Sequence, residues 1–213
     1  KSLSKTIEKL QQNVDNFKIY LVIAGTDTSQ IKGISAAGII AKSRRKTALA
    51  DAEYLLFGAS KNHRYKLPHL QAGVTPALIS YVCSSLIKAS PIVVPLGIGV
   101  KPYFNHLIIE NEFLGPASCL TTGKSMPKER VLNLYNKGFN IGKSSNQPIL
   151  IAESVPGGTT TAQAVMEAFG LNVGNLVGSS LFKAPRKLKT KVIETGLLNA
   201  NLKNDFDSFD VLS

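Results

Sequence analysis

The stretch that decides the fold is Pro148-Ile-Leu-Ile-Ala-Glu-Ser-Val-Pro-Gly-Gly-Thr-Thr-Thr161. It predicts a buried strand, a tight glycine turn and a helix whose first turn is crowded with threonines. Such a turn directs backbone N–H groups and the positive end of a helix dipole toward one point, where an anion can bind. Glu153 ends the strand beside that point, so the stretch predicts an anion site next to a carboxylate. A plain strand-to-helix turn, with Glu153 capping backbone N–H groups, fits the same pattern and stays open as the alternative.

Other apolar runs extend this strand into a sheet. Continuous apolar runs at residues 17–24, 91–96 and 148–153 predict strands covered on both faces, as in parallel sheets, and residues 172–177 predict a fourth. Helical spacing of apolar residues separates these runs. The alternation predicts an α/β fold, a three-layer α/β/α domain with a mostly parallel, Rossmann-like sheet over residues 1–213.

Predicted helices flank the predicted strands along the chain. Residues 1–14 predict a peripheral amphipathic helix. Further helices are predicted at about residues 47–57, 75–89, 125–141, 159–169 and from 185 onward. Cys83 lies among the apolar residues of the helix predicted at 75–89, which favours a core position for its thiol over a nucleophilic role.

Small and hydroxyl residues recur where the predicted strands end. In α/β sheets, ligands bind beyond the carboxyl ends of the strands. The four predicted ends are Gly25-Thr-Asp-Thr-Ser29, Gly97-Ile-Gly99, Glu153 to Thr161, and Gly178-Ser-Ser180. Because the same composition recurs at all four, the sequence predicts one pocket at this edge of the sheet.

The net charge of +11 has two interpretations, an attraction to nucleic acid or phosphorylated metabolites, and a solvated surface rich in lysine. Basic residues cluster at 42–46 and 183–191. Neither cluster has the interleaved aromatic residues of a base-stacking platform. We therefore expect no nucleic-acid partner.

Membrane, disulfide and metal functions are also disfavoured. No apolar run approaches the roughly 20 residues that span a bilayer, so no membrane partner is expected. Cys83 and Cys119 are typical of a reduced, cytoplasmic protein rather than a disulfide framework. His63 and His69 lack the neighbouring Cys or carboxylate ligands of a metal site. The sequence predicts neither a metal nor a cofactor.

The order of the motifs resembles one family. The motifs are Val22-Ile-Ala-Gly-Thr26, Gly33-Ile-Ser-Ala-Ala-Gly38, Ala50-Asp-Ala-Glu-Tyr54 and Glu153-Ser-Val-Pro-Gly-Gly-Thr-Thr-Thr161. They resemble the nicotinate-nucleotide–dimethylbenzimidazole phosphoribosyltransferase family of cobalamin biosynthesis, and most closely its UPF0284-like branch in cyanobacteria and archaea. The resemblance covers nearly the whole chain. The well-studied branch has a Gly-Glu-Met-Gly-Ile-Gly-Asn-Thr-Thr type of loop, whereas this chain places Ser-Val-Pro-Gly-Gly between the glutamate and the threonines.

The resemblance implies a reaction and its partners. Phosphoribose would pass from nicotinate mononucleotide to a benzimidazole-type base, releasing nicotinate and giving an α-ribazole phosphate. A small-molecule nucleotide and an aromatic base are the implied partners, and a homodimer is an implied assembly. Nicotinate is a pyridinium in this nucleotide and leaves without an acid, while a carboxylate stabilises the oxocarbenium-like C1′ centre.

The resemblance also implies site residues. Ser35 would line the base pocket. Phosphate and ribose contacts are implied for Glu153, Gly157, Gly158, Thr159, Thr160, Thr161, Gly178, Ser179, Ser180 and Lys191.

No catalytic residue is assigned, because the general base that deprotonates the incoming base is a glutamate in the family's C-terminal half. We expect it beyond Ser213, and we expect this chain to be an N-terminal portion that binds the nucleotide without turnover. Two alternatives stay open. The scaffold could serve another phosphoribosyl or nucleotide enzyme, or a nonenzymatic nucleotide-binding module.

Overall fold

Three parallel strands form a sheet in the computed structural model, which describes residues 2–12, 16–38, 40–68, 75–179, 181–203 and 205–213. The strands are β1 (Lys18–Ala24), β2 (Ile92–Leu96) and β3 (Ile149–Ser154), in the order β2-β1-β3. The register pairs Ala24 with Leu96 and Ile23 with Ser154, so the three carboxyl ends lie at one edge. The predicted strands in these regions are confirmed. The predicted burial of the third strand is wrong, because β3 lies at the edge of the sheet and Leu150 and Ile151 are 46% and 73% exposed.

Helices alternate with the strands, which confirms the predicted α/β class. The helices are α1 (Ser2–Gln12), α2 (Ala41–Phe57), α3 (Pro76–Leu86), α4 (Lys128–Lys143), α5 (Gly158–Ala168), α6 (Arg186–Ala200) and α7 (Ser208–Leu212), with 3-10 turns at Asp27–Gln30 and Leu120–Thr122. Every side chain of α1 whose placement is described is exposed, which agrees with its predicted peripheral position.

The predicted strand at residues 172–177 is wrong. These residues form a turn in which the Val177 N–H donates to the Val173 carbonyl over 3.2 Å. The apolar residues suggested a strand, but Asn172, Gly174 and Asn175 are turn formers and prevail in so short a segment.

α2 packs against the sheet through small side chains. Ala48 and Ala52 lie one turn apart and are fully buried, in one cluster with Leu21 and Ile23 of β1 and Val93 of β2. Alanine at these positions lets the helix approach the sheet closely, and this places the rest of α2 beside the ends of β1 and β3.

α6 contacts the Leu120–Thr122 turn backbone to backbone. A Cβ at Gly196 would lie 2.5 Å from the Leu120 carbonyl oxygen, and a Cβ at Gly123 would overlap the Ala200 nitrogen. Only glycine permits so close an approach at either position. The two glycines therefore determine where α6 sits.

Glu53 of α2 is buried in a complete set of hydrogen bonds. The backbone N–H groups of Arg64 and Tyr65 each donate to its carboxylate over 2.7 Å, the Tyr103 phenol also donates, and His63 Nδ1 lies 3.4 Å away. Burial alone raises the pKa of Glu53, but these hydrogen bonds outweigh it and lower the pKa below its ordinary value. Burial and the contact with Glu53 raise the pKa of Tyr103 to about 12.

Glu53→Gln is expected to lower the free energy of unfolding at pH 7 by about 1–3 kcal/mol, because the amide satisfies these donors poorly. The folded pKa of Glu53 lies below the ordinary 4.5, so its contribution is present above pH 4.5 and is lost as the pH falls through the folded pKa. Urea denaturation at pH 7 and pH 3 measures both effects. Exposed Glu129→Gln is the control, and a Glu53→Gln protein as stable as wild type at both pH values would contradict this account.

Candidate functional site

A cavity of about 470 Å³ lies between the sheet and helices α2 and α3. Its walls along β1 and β3 are mostly apolar, and one end is closed by the glycine turn after β3. The apolar lining includes Ile19, Leu21, Ile34, Leu55, Ala77, Ile87, Leu150 and Ala152. The predicted site residues Ser35, Glu153, Gly157, Gly158 and Thr159 line this one cavity, although Ser35 is far from the other four in the sequence.

The glycine turn has a backbone that other residues adopt poorly. Gly157 has φ +82° and precedes the first residue of α5, and a Cβ here would lie 3.4 Å from the Ser29 backbone nitrogen. The Gly158 N–H donates to the Val155 carbonyl over 2.7 Å, and the Thr160 N–H donates to the Gly157 carbonyl over 3.0 Å. The first turn of α5 is thereby held tightly beside the end of β1.

Glu153 lies against this turn. Its Oε2 is 3.4 Å from where a Gly158 Cβ would stand, and the Val155 backbone N–H donates to its carboxylate. The residue as a whole is exposed, but burial of its carboxyl group raises its pKa, and the Val155 hydrogen bond only partly offsets this effect. Glu153 therefore caps one backbone N–H, as the alternative interpretation had it, and also faces the cavity.

The three threonines of α5 divide between the cavity and the protein interior. Thr159 lines the cavity. Thr160 is fully buried, and the hydroxyls of Thr160 and Thr161 are buried without a hydrogen-bond partner in the described part of the chain. Of the implied phosphate-binding threonines, the structure brings only Thr159 to the cavity wall.

Lys189, and not Lys191, reaches the turn. Lys189 is 1% exposed, and its Nζ donates to the Thr159 hydroxyl over 2.9 Å and to the Gly178 carbonyl over 2.5 Å. Burial lowers the pKa of Lys189. Lys191 lies exposed on α6, where its carbonyl accepts the Thr195 hydroxyl over 2.8 Å.

A pattern in the sequence of α6 could have identified Lys189. Lys189 shares the buried face of the helix with Val192, Ile193 and Gly196, at a spacing of three, four and seven residues. The apolar residues alone define this face. A lysine at this spacing lies on the buried face of the helix, whereas Lys191, two positions later, does not.

The Gly178 turn contributes to the site indirectly. The Gly178 carbonyl accepts the Lys189 ammonium, while the Ser179 hydroxyl accepts the Leu181 N–H over 3.2 Å. Neither residue lines the cavity, and Ser180 lies outside the described residues. The turn therefore positions Lys189 and does not itself form a wall.

Asp51 of α2 also lines the cavity, and sequence reasoning did not assign it. The Ser154 hydroxyl donates to Asp51 Oδ2 over 2.7 Å, and the Thr75 hydroxyl donates to Oδ1 over 3.4 Å. Burial raises the pKa of Asp51, and these two hydrogen bonds only partly offset the effect. The available signal was its spacing, because Thr47, Asp51 and Leu55 all line the cavity at intervals of one helical turn.

Ser35 lies on the cavity wall, and its hydroxyl accepts the Ala37 N–H over 3.2 Å. Cys83 also lines the cavity and is exposed, so the expected core position of its thiol is wrong. The α3 face that carries Cys83 faces the cavity, and an apolar pattern does not distinguish a cavity wall from a core.

The described residues offer neither a metal site nor a membrane span. They contain no group of three or more His, Cys, Asp or Glu side chains that could hold a metal ion. His63 contacts Glu53 instead, and His69 lies outside the described residues. None of the described helices is both long enough and apolar enough to span a membrane.

The sequence of this chain is similar to those of known proteins. No model of a known protein family matches the chain. It is 77% identical over 207 residues to a UPF0284 protein of Prochlorococcus marinus strain MIT 9312, covering 97% of this chain and 54% of that protein. The chain is a UPF0284 homologue.

More distant UPF0284 proteins match over similar lengths. That of Parasynechococcus marenigrum strain WH8102 is 46% identical over 200 residues, covering 94% of this chain and 51% of the relative. That of Gloeothece citriformis strain PCC 7424 is 34% identical over 213 residues, covering 96% and 56%. The chain thus spans about half the length of the UPF0284 proteins it matches.

A solved structure shares the fold. The crystal structure of CobT from Thermus thermophilus superposes with a TM-score of 0.61 at 16% sequence identity, covering 91% of this chain and 53% of that chain. At this identity the likeness establishes the fold alone, and the chemistry must be argued from the residues of this chain.

Lys189→Met is expected to change how stability depends on pH. Burial lowers the folded pKa of Lys189 below the ordinary 10.5. At a pH between these two pKa values the unfolded chain binds more protons than the folded chain, so the buried ammonium destabilises the fold less as the pH rises. The free energy of unfolding of wild type should therefore rise relative to that of Lys189→Met as the pH rises toward 10.5. Urea denaturation over this range measures it. Exposed Lys191→Met is the control, and matching profiles for the two variants would refute the burial of Lys189.

Proposed function

We propose that this chain binds nicotinate mononucleotide in the cavity, as the nucleotide-binding portion of a protein that transfers the phosphoribosyl group to a benzimidazole-type base and so gives an α-ribazole phosphate and nicotinate. One observation carries the proposal, namely that a single cavity joins an apolar wall to the Gly157–Thr159 turn and its buried lysine. The motif resemblance and the fold shared with CobT support the same reaction.

The turn end of the cavity suits the nucleotide phosphate. The Lys189 ammonium is buried against two neutral oxygens, and it forms no ion pair with a carboxylate of the described residues. A buried cation without an anion is costly. A phosphate at the Thr159 hydroxyl and the amino end of α5 would supply that anion, and the helix dipole would favour it further.

Glu153 suits the ribose. It lies at the end of β3, against the turn that would hold the phosphate. When the bond between C1′ and the nicotinate nitrogen breaks, positive charge develops on C1′, and a carboxylate in a partly dry site stabilises that charge better than water does. Nicotinate departs with a neutral ring nitrogen and needs no general acid. A carboxylate beside C1′ therefore suffices at the turn end of the cavity.

The remaining wall suits a flat heterocycle. Ile34, Leu55 and Ala77 contribute apolar surface, while Ser35 and Asp51 contribute polar atoms. Ligand pockets typically combine a mostly apolar lining with a few polar groups that orient the ligand. An aromatic base of the benzimidazole type has this combination of a flat apolar body and ring nitrogens.

Thr159→Val and Lys189→Met are each expected to weaken binding of nicotinate mononucleotide about tenfold or more, because Thr159 supplies the hydroxyl at the cavity wall and Lys189 holds that hydroxyl and supplies the positive charge behind it. Isothermal titration calorimetry measures the affinities. Thr161→Val is the matched control, since it makes the same change at a buried hydroxyl in the same helical turn but away from the cavity. Unchanged affinity in both site variants, or equal weakening in the control, would overturn the proposed phosphate site.

The Cys83 thiol offers an independent test that ligands occupy this cavity. In a Cys119→Ser background, modification of Cys83 by a thiol reagent should slow several-fold with saturating nicotinate mononucleotide or benzimidazole, because the thiol lines the cavity and is otherwise exposed. The rate is followed by mass spectrometry. Binding without any protection of Cys83 would place the ligand elsewhere.

Another phosphoribosyl or nucleotide function on the same scaffold is the second candidate. It is favoured by Pro156, which lies buried in the turn and lines the cavity where the well-studied branch has a glycine-rich loop. A thermal-shift screen of nucleotides distinguishes the two. A stabilising ligand that lacks both nicotinate and ribose phosphate would favour this second function, or a nonenzymatic binding role.

The homodimer stays a prediction. Large apolar side chains lie on the surface, including Phe182 at 98% and Leu176 at 81% exposure. Apolar surface of this kind is found at interfaces between subunits, although scattered single residues are ordinary. Sedimentation equilibrium of the purified protein tests the prediction.

A further inference from the structure

One arginine of α2 holds the segment of residues 29–38, which follows β1. Arg44 is only 5% exposed, and three nitrogens of its guanidinium each donate to a different backbone carbonyl. The carbonyls are those of Ser29 over 2.5 Å, Gln30 over 2.8 Å and Gly38 over 3.0 Å. Because Ser29 and Gly38 are the two ends of the segment, one planar group fixes the two ends relative to each other.

Arg44 lies on the helix face that also forms the cavity wall. The face begins with Arg44 and continues, at intervals of three or four residues, with Thr47, Asp51 and Leu55. The last three line the cavity, and the Thr47 hydroxyl also donates to the Ala37 carbonyl. Arg44 is not part of the cavity wall. The first turns of this face therefore support the segment, and the later turns form the wall itself.

The supported segment carries part of the cavity lining. Ile34, Ser35 and Ala37 line the cavity, and they lie between the residues whose carbonyls Arg44 holds. Ile34 is 1% exposed, so the segment has an apolar anchor in the protein. The position of this part of the wall therefore depends on the contacts that hold the two ends of the segment.

Gly38 lets the segment approach α2 closely. It has φ +141°, and an added Cβ would overlap the Ser43 hydroxyl and lie 3.1 Å from the Arg44 backbone nitrogen. A side chain at this position would be strained in conformation and would push the segment away from the helix. The close approach brings the Gly38 carbonyl within reach of the guanidinium on the first turn of α2.

A guanidinium suits this position better than other side chains. It is a rigid planar fork of donors, so it satisfies several carbonyls in one fixed arrangement, whereas an ammonium is a compact charge on a flexible stem. An apolar side chain would donate to none of these carbonyls, and buried carbonyls need donors. Replacing Arg44 should therefore loosen the segment even where the replacement fills the same space.

We propose that Arg44 is a positioning residue for the aromatic base, an inference that rests on the proposed function. It holds the segment so that Ile34, Ser35 and Ala37 form a wall that is already ordered before the base arrives. Arg44 does not touch the base. A ligand that must order its own binding surface loses affinity by the cost of that ordering, so the fixed wall favours binding of the base.

The phosphate end of the cavity depends less on Arg44. The Ser29 N–H and hydroxyl both donate to the Thr26 carbonyl, over 3.1 Å and 2.7 Å. These hydrogen bonds hold Ser29 against Gly157 without the guanidinium. Loss of Arg44 should therefore move the part of the segment near Gly38 and leave the glycine turn in place.

Two ligands for the two ends of the cavity test the inference. Arg44→Met should weaken binding of benzimidazole about tenfold, because the wall is no longer ordered in advance. Arg44→Lys, which keeps the charge and reaches fewer carbonyls, should recover part of this loss. Arg45→Met is the matched control, since it makes the same change at the neighbouring exposed arginine, whose ion pair with Asp27 lies at the surface. This control should keep the wild-type affinity for benzimidazole, and its affinity for nicotinate mononucleotide should equal that of Arg44→Met.

Isothermal titration calorimetry below each melting transition measures both affinities. An unchanged benzimidazole affinity in Arg44→Met, or an equal loss for the two ligands, overturns the role of Arg44 and leaves the proposed function standing. If Arg44→Met does not fold, a wild-type benzimidazole affinity in Arg44→Lys overturns it. A wild-type protein that binds no benzimidazole also overturns it. Binding of nicotinate mononucleotide to wild type decides the phosphate end of the proposed function separately.

Discussion

Parallel pairing of β1 with both of its neighbours is the constraint on which the site depends. Because Ala24 pairs with Leu96 and Ile23 with Ser154, three strands end within about one residue of each other. The segments that follow them must therefore meet at one edge. Ser29, after β1, packs against Gly157, after β3, and this contact holds the amino end of α5 beside the cavity. Without the shared edge, the glycine turn would be an isolated loop.

The fold could largely be predicted from the sequence, because strands in a parallel sheet are apolar along their whole length and are easily recognised. The failure at residues 172–177 has a definite reason. Apolar residues and turn formers are mixed there, and burial, which decides between them, is not visible in one sequence. The expected core position of Cys83 failed for a similar reason, and Lys191 lies exposed on α6 instead of at the glycine turn. Both depend on which side of a helix faces a cavity, and that follows from packing.

The site itself was only partly predictable. The glycine turn, Glu153 and Ser35 were found because they belong to motifs, and the structure brings them to one cavity. Lys189 and Asp51 were missed because their importance lies in burial rather than in residue type. A lysine lies on the buried face of α6, and an aspartate lies among apolar residues on α2. The informative features are a fully buried ammonium at Lys189 and a half-buried carboxylate on a mostly apolar cavity wall at Asp51, since folding alone would favour neither.

The contact of α6 with the Leu120–Thr122 turn has a consequence for natural variation. Gly196 lies seven residues, about 10 Å, along α6 from Lys189 and touches nothing in the cavity wall. A side chain at Gly196 would push the Leu120 carbonyl away and tilt the helix. A tilt at one end of a rigid rod displaces the other end, so the ammonium would leave Thr159. Inherited changes that displace Lys189 from Thr159 need not fall in the cavity wall, and genome surveys that examine only the residues of the wall would overlook this glycine.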